Sequence, residues 1–533
     1  MYEHLSTFPG GQPNDFHLRL YSEWARHRWG MVITGNVQVA ADHLSLGRDI
    51  VLPENIKQPS LNELRSFEML AQTIRGSEIK NPPERNDDHS RWKEKTNRTL
   101  AILQLNHTGR QSSNFIGGRW PFRVPVGPSA VRVGSTPGRN LGYFERLANA
   151  LLFQTPTALH SGEIRSILDR FVEGAVFAQK TGFDGVQLHA AHGYLLAQFL
   201  SPQTNQRTDE YSYEKALDLL QTIVTLIRSS TSKDFVIGIK LNVADYASLV
   251  EPESSTSLTA HEQGAMQHLS DIASWGLVDF VEISGGDYET PEFMAAEPTS
   301  DSSSSPKGKD FEARPAITKS RRQAFFAHVS QQVLKQLSAS NPSNRPLILL
   351  TGGLNSPTLL TTALASKHAD LLGIGRASVL SPNIPSILKS LATGSSSHPI
   401  NPNEPFFPPP SLSNPSILSQ PPISWLWSLL SSVKFVGAGT TTAWYTLHIR
   451  KIAMMPLRGP DGRRLKQPKP DYNIGGIESL LRMFLWVLPS GNIGLGSRCL
   501  QGLSFVVACV VVGFVSYWLA TTAGDTWTLS ATT

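Results

Sequence analysis

Short apolar and β-branched runs alternate along this chain with longer stretches of helical period. Leu18–Arg28 carries an apolar stripe through Leu20 and Trp24 and predicts a helix, ended by Trp29 and Gly30. Met31–Val37 is a β-branched run bounded by turn residues and predicts a strand. Ser60 is placed to cap a helix that ends at Gly76. Further strands are predicted at Thr99–Asn106, Val186–Leu188, Phe235–Leu241, Leu277–Ser284, Leu347–Leu350 and Leu371–Ile374. A helix from Thr155-Pro156 through Lys180 and another over Ala324–Leu337 lie between them. Polar Ser77–Lys95 reads as an exposed insertion, and Ser-rich Ser300–Lys309 as a surface loop. Gly117–Arg146, rich in Gly and Pro, reads as a loop over one end of the fold.

Alternation within the strands sorts their faces. Leu103 and Leu105 point one way, and Ile102, Gln104 and Asn106 the other. Ile237, Ile239 and Leu241 likewise oppose Gly238 and Lys240. A buried amide such as Gln104 needs partners, either water or the edge of a flat heteroaromatic ring. A buried ammonium such as Lys240 needs negative charge, from a carboxylate or from a ligand. Gly352 and Gly353 follow one predicted strand, and Gly375 and Arg376 the next. Such glycines let backbone N–H groups approach a phosphate, and the arginine adds charge-assisted bonds.

The most distinctive stretch is HAAHGY, which delivers His189, His192 and Tyr194 at a strand's C-terminal end. Barrel enzymes keep their chemistry at that end. Two satisfied histidines capping a helix is the bland alternative. A metal pair would need a third ligand, yet no Asp or Glu adjoins the pair and HExxH is absent. Two neutral donors aimed at a ligand oxygen or ring account for the pattern best.

The 533 residues exceed one ordinary domain, and 40% hydrophobic content supports a large core. Cys499 and Cys509 lie far along the chain and staple no domain, which suits a reducing compartment. The net charge of +5 is modest, and basic residues are not interleaved with aromatics, so no nucleic-acid footprint appears. Residues 1–20 contain no apolar core of a secretory signal. GAGTTT near Gly437 lacks the third glycine of a dinucleotide fingerprint. Leu500–Ala520 is uncharged and long enough to span a bilayer, with Tyr517 and Trp518 suited to an interface. Arg450, Lys451, Arg463, Arg464, Lys466, Arg482 and Arg498 precede it, and only Asp525 follows, which predicts a single C-terminal anchor with the barrel facing the cytosol.

The run HAAHGYLLAQFLSPQTNQRTDEY, together with HTGRQ at His107–Gln111, resembles the signature of the old yellow enzymes. The resemblance covers about the first three-quarters of the chain and implies an α/β fold, a TIM (β/α)8 barrel. It implies an FMN-dependent ene-reductase that takes NADH or NADPH as reductant and an enone-type small molecule as substrate. Gln104 would meet the flavin pyrimidine edge and Lys240 the negative charge near N1 and O2. Gly352, Gly353, Gly375 and Arg376 would hold the phosphate. His189 and His192 would bind the substrate oxygen, and Tyr194 would act as general acid. Met1 falls where the family's first strand ends, so strands two to eight of a truncated barrel are expected. The expected divisions are residues 1–394, the barrel; 395–424, a Pro/Ser-rich linker; 425–498, a basic extension; 499–521, a transmembrane helix; and 522–533, a polar tail. A second class stays open: a membrane-tethered barrel, or a truncated gene model, that binds no flavin.

Overall fold

A computed structural model of the chain describes residues 2–76, 98–120, 123–135, 143–242, 260–284, 330–339, 345–394, 401–408, 410, 412, 434–455 and 468–485. The predicted insertion, the Ser300–Lys309 loop and the Leu500–Ala520 segment lie outside these residues. Seven parallel strands form the frame: β1 (Met31–Gln38), β2 (Leu100–Asn106), β3 (Gly185–Ala190), β4 (Val236–Asn242), β5 (Phe280–Ser284), β6 (Leu347–Thr351) and β7 (Leu371–Gly373). Each pairs with its successor in chain order, and the two-residue strand Ile50–Val51 lies outside β1.

The sheet curls on itself. Ile102 of β2, Phe280 of β5 and Leu349 of β6 form one cluster, into which Met31, Ile33, Val236 and Leu371 pack. Side chains from six strands meet there, as the filled interior of a (β/α)8 barrel requires. Gly238 belongs to this layer because the Phe280 ring lies 2.1 Å from where a Cβ would stand. Outward-facing Leu103, Leu105, Ile237 and Ile239 join the large core beneath the helices. Before Met31, the described residues form no strand; a single isolated bridge, Gly11 to Ile50, pairs them with the sheet, and Glu3 and Tyr21 bond Gly35 N of β1.

β7 and β1 stand at opposite ends of the pairing order. Side chains tie those ends together. Trp24 Nε1 donates to Ser378 O at 2.9 Å and Trp29 Nε1 to Pro382 O at 2.9 Å. The helix Lys434–Met454 packs against both Asp15–Ala25 and Arg376–Leu380, so this part of the chain returns to the barrel. The GAGTTT stretch is part of this helix.

At the N-terminal ends of the strands one device recurs three times. Asp184 accepts from Ala101 N (2.9 Å) and Arg75 (2.8 Å). Asp279 accepts from Ile237 N (2.7 Å) and Arg228 (2.7 Å). Asp370 accepts from Ile348 N (2.8 Å) and Arg345 (2.7 Å). Each carboxylate precedes β3, β5 or β7 and stitches that strand to the start of the one before. This is the stability end of such a barrel, opposite the chemistry.

Three expectations need correction. The first helix starts at Asp15, not Leu18, because Asn14 accepts from Phe16 N and His17 N and so caps it earlier. The long helix starts at Ser161, not Thr155, because Thr157–Ala158 pairs with Val126–Gly127 first. Arg450, counted in the basic flank of the predicted anchor, is buried and is not free to meet a membrane surface. Its guanidinium donates to Arg482 O (3.0 Å), Met483 O (2.6 Å) and the His4 ring. Those bonds lock the C-terminal helices onto the first residues of the chain.

Candidate active site

At the C-terminal ends of the strands the inward side chains turn polar. His189 is the fifth residue of β3, so it lies within the strand and not in the turn after it. Its Nδ1 lies 2.8 Å from Asn36 Oδ1 on β1, and its Nε2 lies 3.0 Å from His192 Nδ1. His192 Nε2 in turn lies 2.8 Å from Ser284 Oγ on β5. Burial, then the neighbouring His192 and Lys240, holds His189 well below the ordinary imidazole range, so it is neutral. Neutral His189 donates from Nδ1 to Asn36 Oδ1, so its Nε2 accepts from His192 Nδ1, while His192 Nε2 bonds the Ser284 hydroxyl.

The turn that presents this pair is held firmly. His192 adopts φ 57°, a left-handed conformation uncommon outside glycine, and Gly193 follows at φ 71°. Asn242 Oδ1 accepts the His192 N–H at 3.1 Å, and Gln111 Nε2 donates to His192 O at 2.9 Å. Side chains from two other segments therefore hold a backbone turn that is uphill by itself. Tyr194 is buried, with its ring 4.7 Å from His189, edge to face. The polar loop beyond it is structural: Asn205 bonds Phe199 O and Tyr211 O, and Arg207 bonds Pro128 O and Leu159 O.

One layer deeper runs a second polar chain. Gln104 Nε2 donates to Gln187 Oε1 at 2.5 Å, and Gln187 Nε2 donates to Glu282 Oε2 at 2.8 Å. Glu282 Oε1 lies 2.9 Å from Lys240 Nζ. The carboxylate that the sequence left open as a partner for Lys240 is therefore Glu282. Burial raises the Glu282 carboxyl, but Lys240 and the hydrogen bonds around it outweigh burial and hold it below the ordinary range. Asn36, Gln187, Asn242, Glu282 and Ser284 were not singled out from the sequence. For all but Asn36, period-two positions relative to His189, Lys240 and Phe280 were the available signal; Asn36 follows a register irregularity in β1.

Gly352 and Gly353 follow β6 with φ 120° and 69°. Gly375 follows β7 and precedes Arg376, the first residue of the next helix. A Cβ at Gly352 or Gly375 would meet nothing within 4 Å, and both glycines are exposed. This leaves open backbone at the two turns where such barrels hold phosphate. Asn106 Oδ1, at the inward end of β2, is buried without a hydrogen-bond partner among the described residues. An open phosphate turn, an orphaned acceptor and a Gln–Lys pair in one barrel fit a flavin mononucleotide. Among the described residues no group of His, Cys, Asp or Glu could hold a metal ion.

A parallel barrel with a hydrogen-bonded histidine pair at its mouth and glycine turns after its last two strands defines the flavin-type barrel oxidoreductases. The chain belongs to the NADH:flavin oxidoreductase / NADH oxidase family, which matches residues 94–283. It is 31% identical to the NADH-dependent flavin oxidoreductase iccE of Talaromyces variabilis, over 69% of this chain and 76% of that one. It is 29% identical to the NADH-dependent flavin oxidoreductase iliE of Hypocrea jecorina, over 70% of this chain and 80% of that one. Identity to the iliE protein of Neonectria sp. is 30% over 70% of this chain, and that match spans only 42% of the longer relative. The family assignment makes the protein an oxidoreductase with FMN as cofactor and NADH or NADPH as reductant.

Proposed function

We propose that the protein reduces the C=C bond of α,β-unsaturated carbonyl compounds. The observation that carries this reading is the hydrogen-bonded His189–His192 pair beside Tyr194, set above the Gln104–Lys240 layer. When bound and reduced by NADH or NADPH, FMN would supply the hydride. Gln104 and Lys240 would hold its pyrimidine edge, and Gly352, Gly353, Gly375 and Arg376 its phosphate. A substrate carbonyl oxygen placed between His189 Nε2 and His192 Nδ1 displaces their mutual bond. It accepts from both once the Asn36 amide turns over to donate to His189 Nδ1. Both donors then stabilise the negative charge that develops on that oxygen. Tyr194 holds the proton for the α-carbon.

Purified protein carrying bound flavin, and oxidising NADH or NADPH with an enone as acceptor, is the expected result. A protein without flavin, or one that turns over no enone, ends the reading. Arg376→Ala should weaken FMN binding roughly tenfold to a hundredfold, the range of one charge-assisted phosphate contact. An unchanged FMN dissociation constant removes Arg376 from the phosphate site.

The C-terminal segment extends the proposal to a membrane-anchored enzyme with its barrel in the cytosol. Among the described residues no helix is long and apolar enough to cross a membrane, and Leu500–Ala520 lies outside them. Its uncharged length and its basic N-terminal flank support the reading. Full-length protein should resist an alkaline carbonate wash of membranes, whereas a chain ending at Gly496 should be released. Release of both sinks the anchor.

A further inference from the structure

We propose that Glu282 is a positioning residue that sets the reduction potential of the bound flavin, with Gln187 coupling it to Gln104. The inference rests on the flavin reading of this site and deepens it. Lys240 and Gln104 are the two side chains expected against the flavin's pyrimidine edge, and both are engaged from behind. Glu282 holds the Lys240 ammonium at 2.9 Å, and Gln187 bridges Glu282 to Gln104 through bonds of 2.8 and 2.5 Å. The four side chains come from β2, β3, β4 and β5, adjacent staves of the barrel. Gln187 and Glu282 are almost fully buried, so bulk water screens their interactions little.

The consequences follow from charge. Two-electron reduction of the ring places negative charge at its pyrimidine edge, and a cation there favours the reduced form. A carboxylate paired to that cation cancels much of its field. The ammonium of Lys240 is also drawn toward β5. This pair therefore poises the potential lower than a lone lysine would. The amide relay has a second effect. Gln187 offers its oxygen to Gln104 Nε2 while its own amide nitrogen is fixed on Glu282. Gln104 is thus held with one orientation, and its carbonyl oxygen is left to face the cofactor. The Glu282 carboxylate also accepts from the hydroxyl of Thr351, the residue before Gly352, which joins the charge relay to the phosphate turn.

The test measures the midpoint potential of the bound flavin and the FMN dissociation constant of the apoprotein, neither of which depends on turnover. Glu282→Gln keeps the side chain's size and removes its charge. The reduction equilibrium should shift at least tenfold toward reduced flavin, a rise of about 30 mV for a two-electron couple. Gln187→Leu should leave the potential close to that of the wild type and weaken FMN binding roughly tenfold through a disoriented Gln104. Flavin-loaded Glu282→Gln with an unchanged or lower potential overturns the proposal. Should that variant not fold, Glu282→Asp carries the test: its shorter carboxylate loosens the pair, so a smaller rise is expected, and an unchanged potential again overturns it. A wild-type protein that binds no FMN at all is a different result, because it removes the flavin reading itself.

Discussion

Lowering the pH from 7.5 to 5 should remove about 6 kcal/mol of folding stability through His4, His17 and His448 alone. All three are buried and neutral. His4 and His17 are lowered to about 3, both chiefly by burial, and His448 to about 4 by burial and then Lys451. The geometry explains the direction. His4 donates through Nε2 to Leu46 O at 3.1 Å and accepts the Arg450 guanidinium at Nδ1, so a second proton would face a cation. His17 Nε2 has no hydrogen-bond partner among the described residues. His448 stacks on Trp444, with ring centroids 6.2 Å apart. The unfolded chain takes up protons near pH 6.5 and the folded chain does not. Stability is therefore full above about pH 6.5 and falls with pH until the folded values are reached. Each group contributes about 1.5 units at pH 5, or about 2 kcal/mol. His107 and His189, also lowered by burial, add in the same direction.

Glu3 and Asp49 oppose them, because burial raises both carboxyls and acid relieves that cost. Two opposing groups recover part of what five histidines lose. Against a usual total of about 5–15 kcal/mol, the remainder is large. Urea unfolding at the two pH values checks it. A midpoint that does not move between pH 7.5 and 5 would show that these histidines are not neutral in the fold, or not buried.

Much of this site can be read from period-two alternation. That pattern put Gln104 and Lys240 on the inward face, and the fold agrees. It could not pair them, because pairing depends on register between strands. Asn36 meets His189 across 153 positions and Gln187 meets Glu282 across 95, distances over which the local sequence says nothing about stagger. Charge was read least well. Arg450 looks like a surface residue from its basic neighbours, yet its environment is set by residues 4, 482 and 483. The repeated Asp184, Asp279 and Asp370 stitches were hidden for the same reason, since each binds the start of a different strand. Capping, by contrast, is local. Ser60 accepts from Glu63 N and starts its helix where the sequence places it.

Tyr194→Phe should slow enone reduction by roughly a hundredfold to ten-thousandfold and leave flavin reduction by NADH or NADPH near its wild-type rate. The substitution keeps the ring that packs edge to face on His189 at 4.7 Å, so the histidine pair keeps its place. What it removes is the one proton needed at the α-carbon. The nicotinamide half-reaction transfers a hydride and needs no such proton, which is why the two halves should separate. His192→Ala acts differently. It deletes one donor to the substrate oxygen and also breaks the bonds from His192 to His189 and Ser284. Enone reduction should slow, and a phenol bound over the flavin should weaken roughly tenfold to a hundredfold. Stopped-flow measurement of each half-reaction separates the roles. Equal losses in both halves for Tyr194→Phe would make the tyrosine a packing residue of the His189 wall. Phenol binding unchanged in His192→Ala would mean that ligand oxygens do not sit between the two imidazoles.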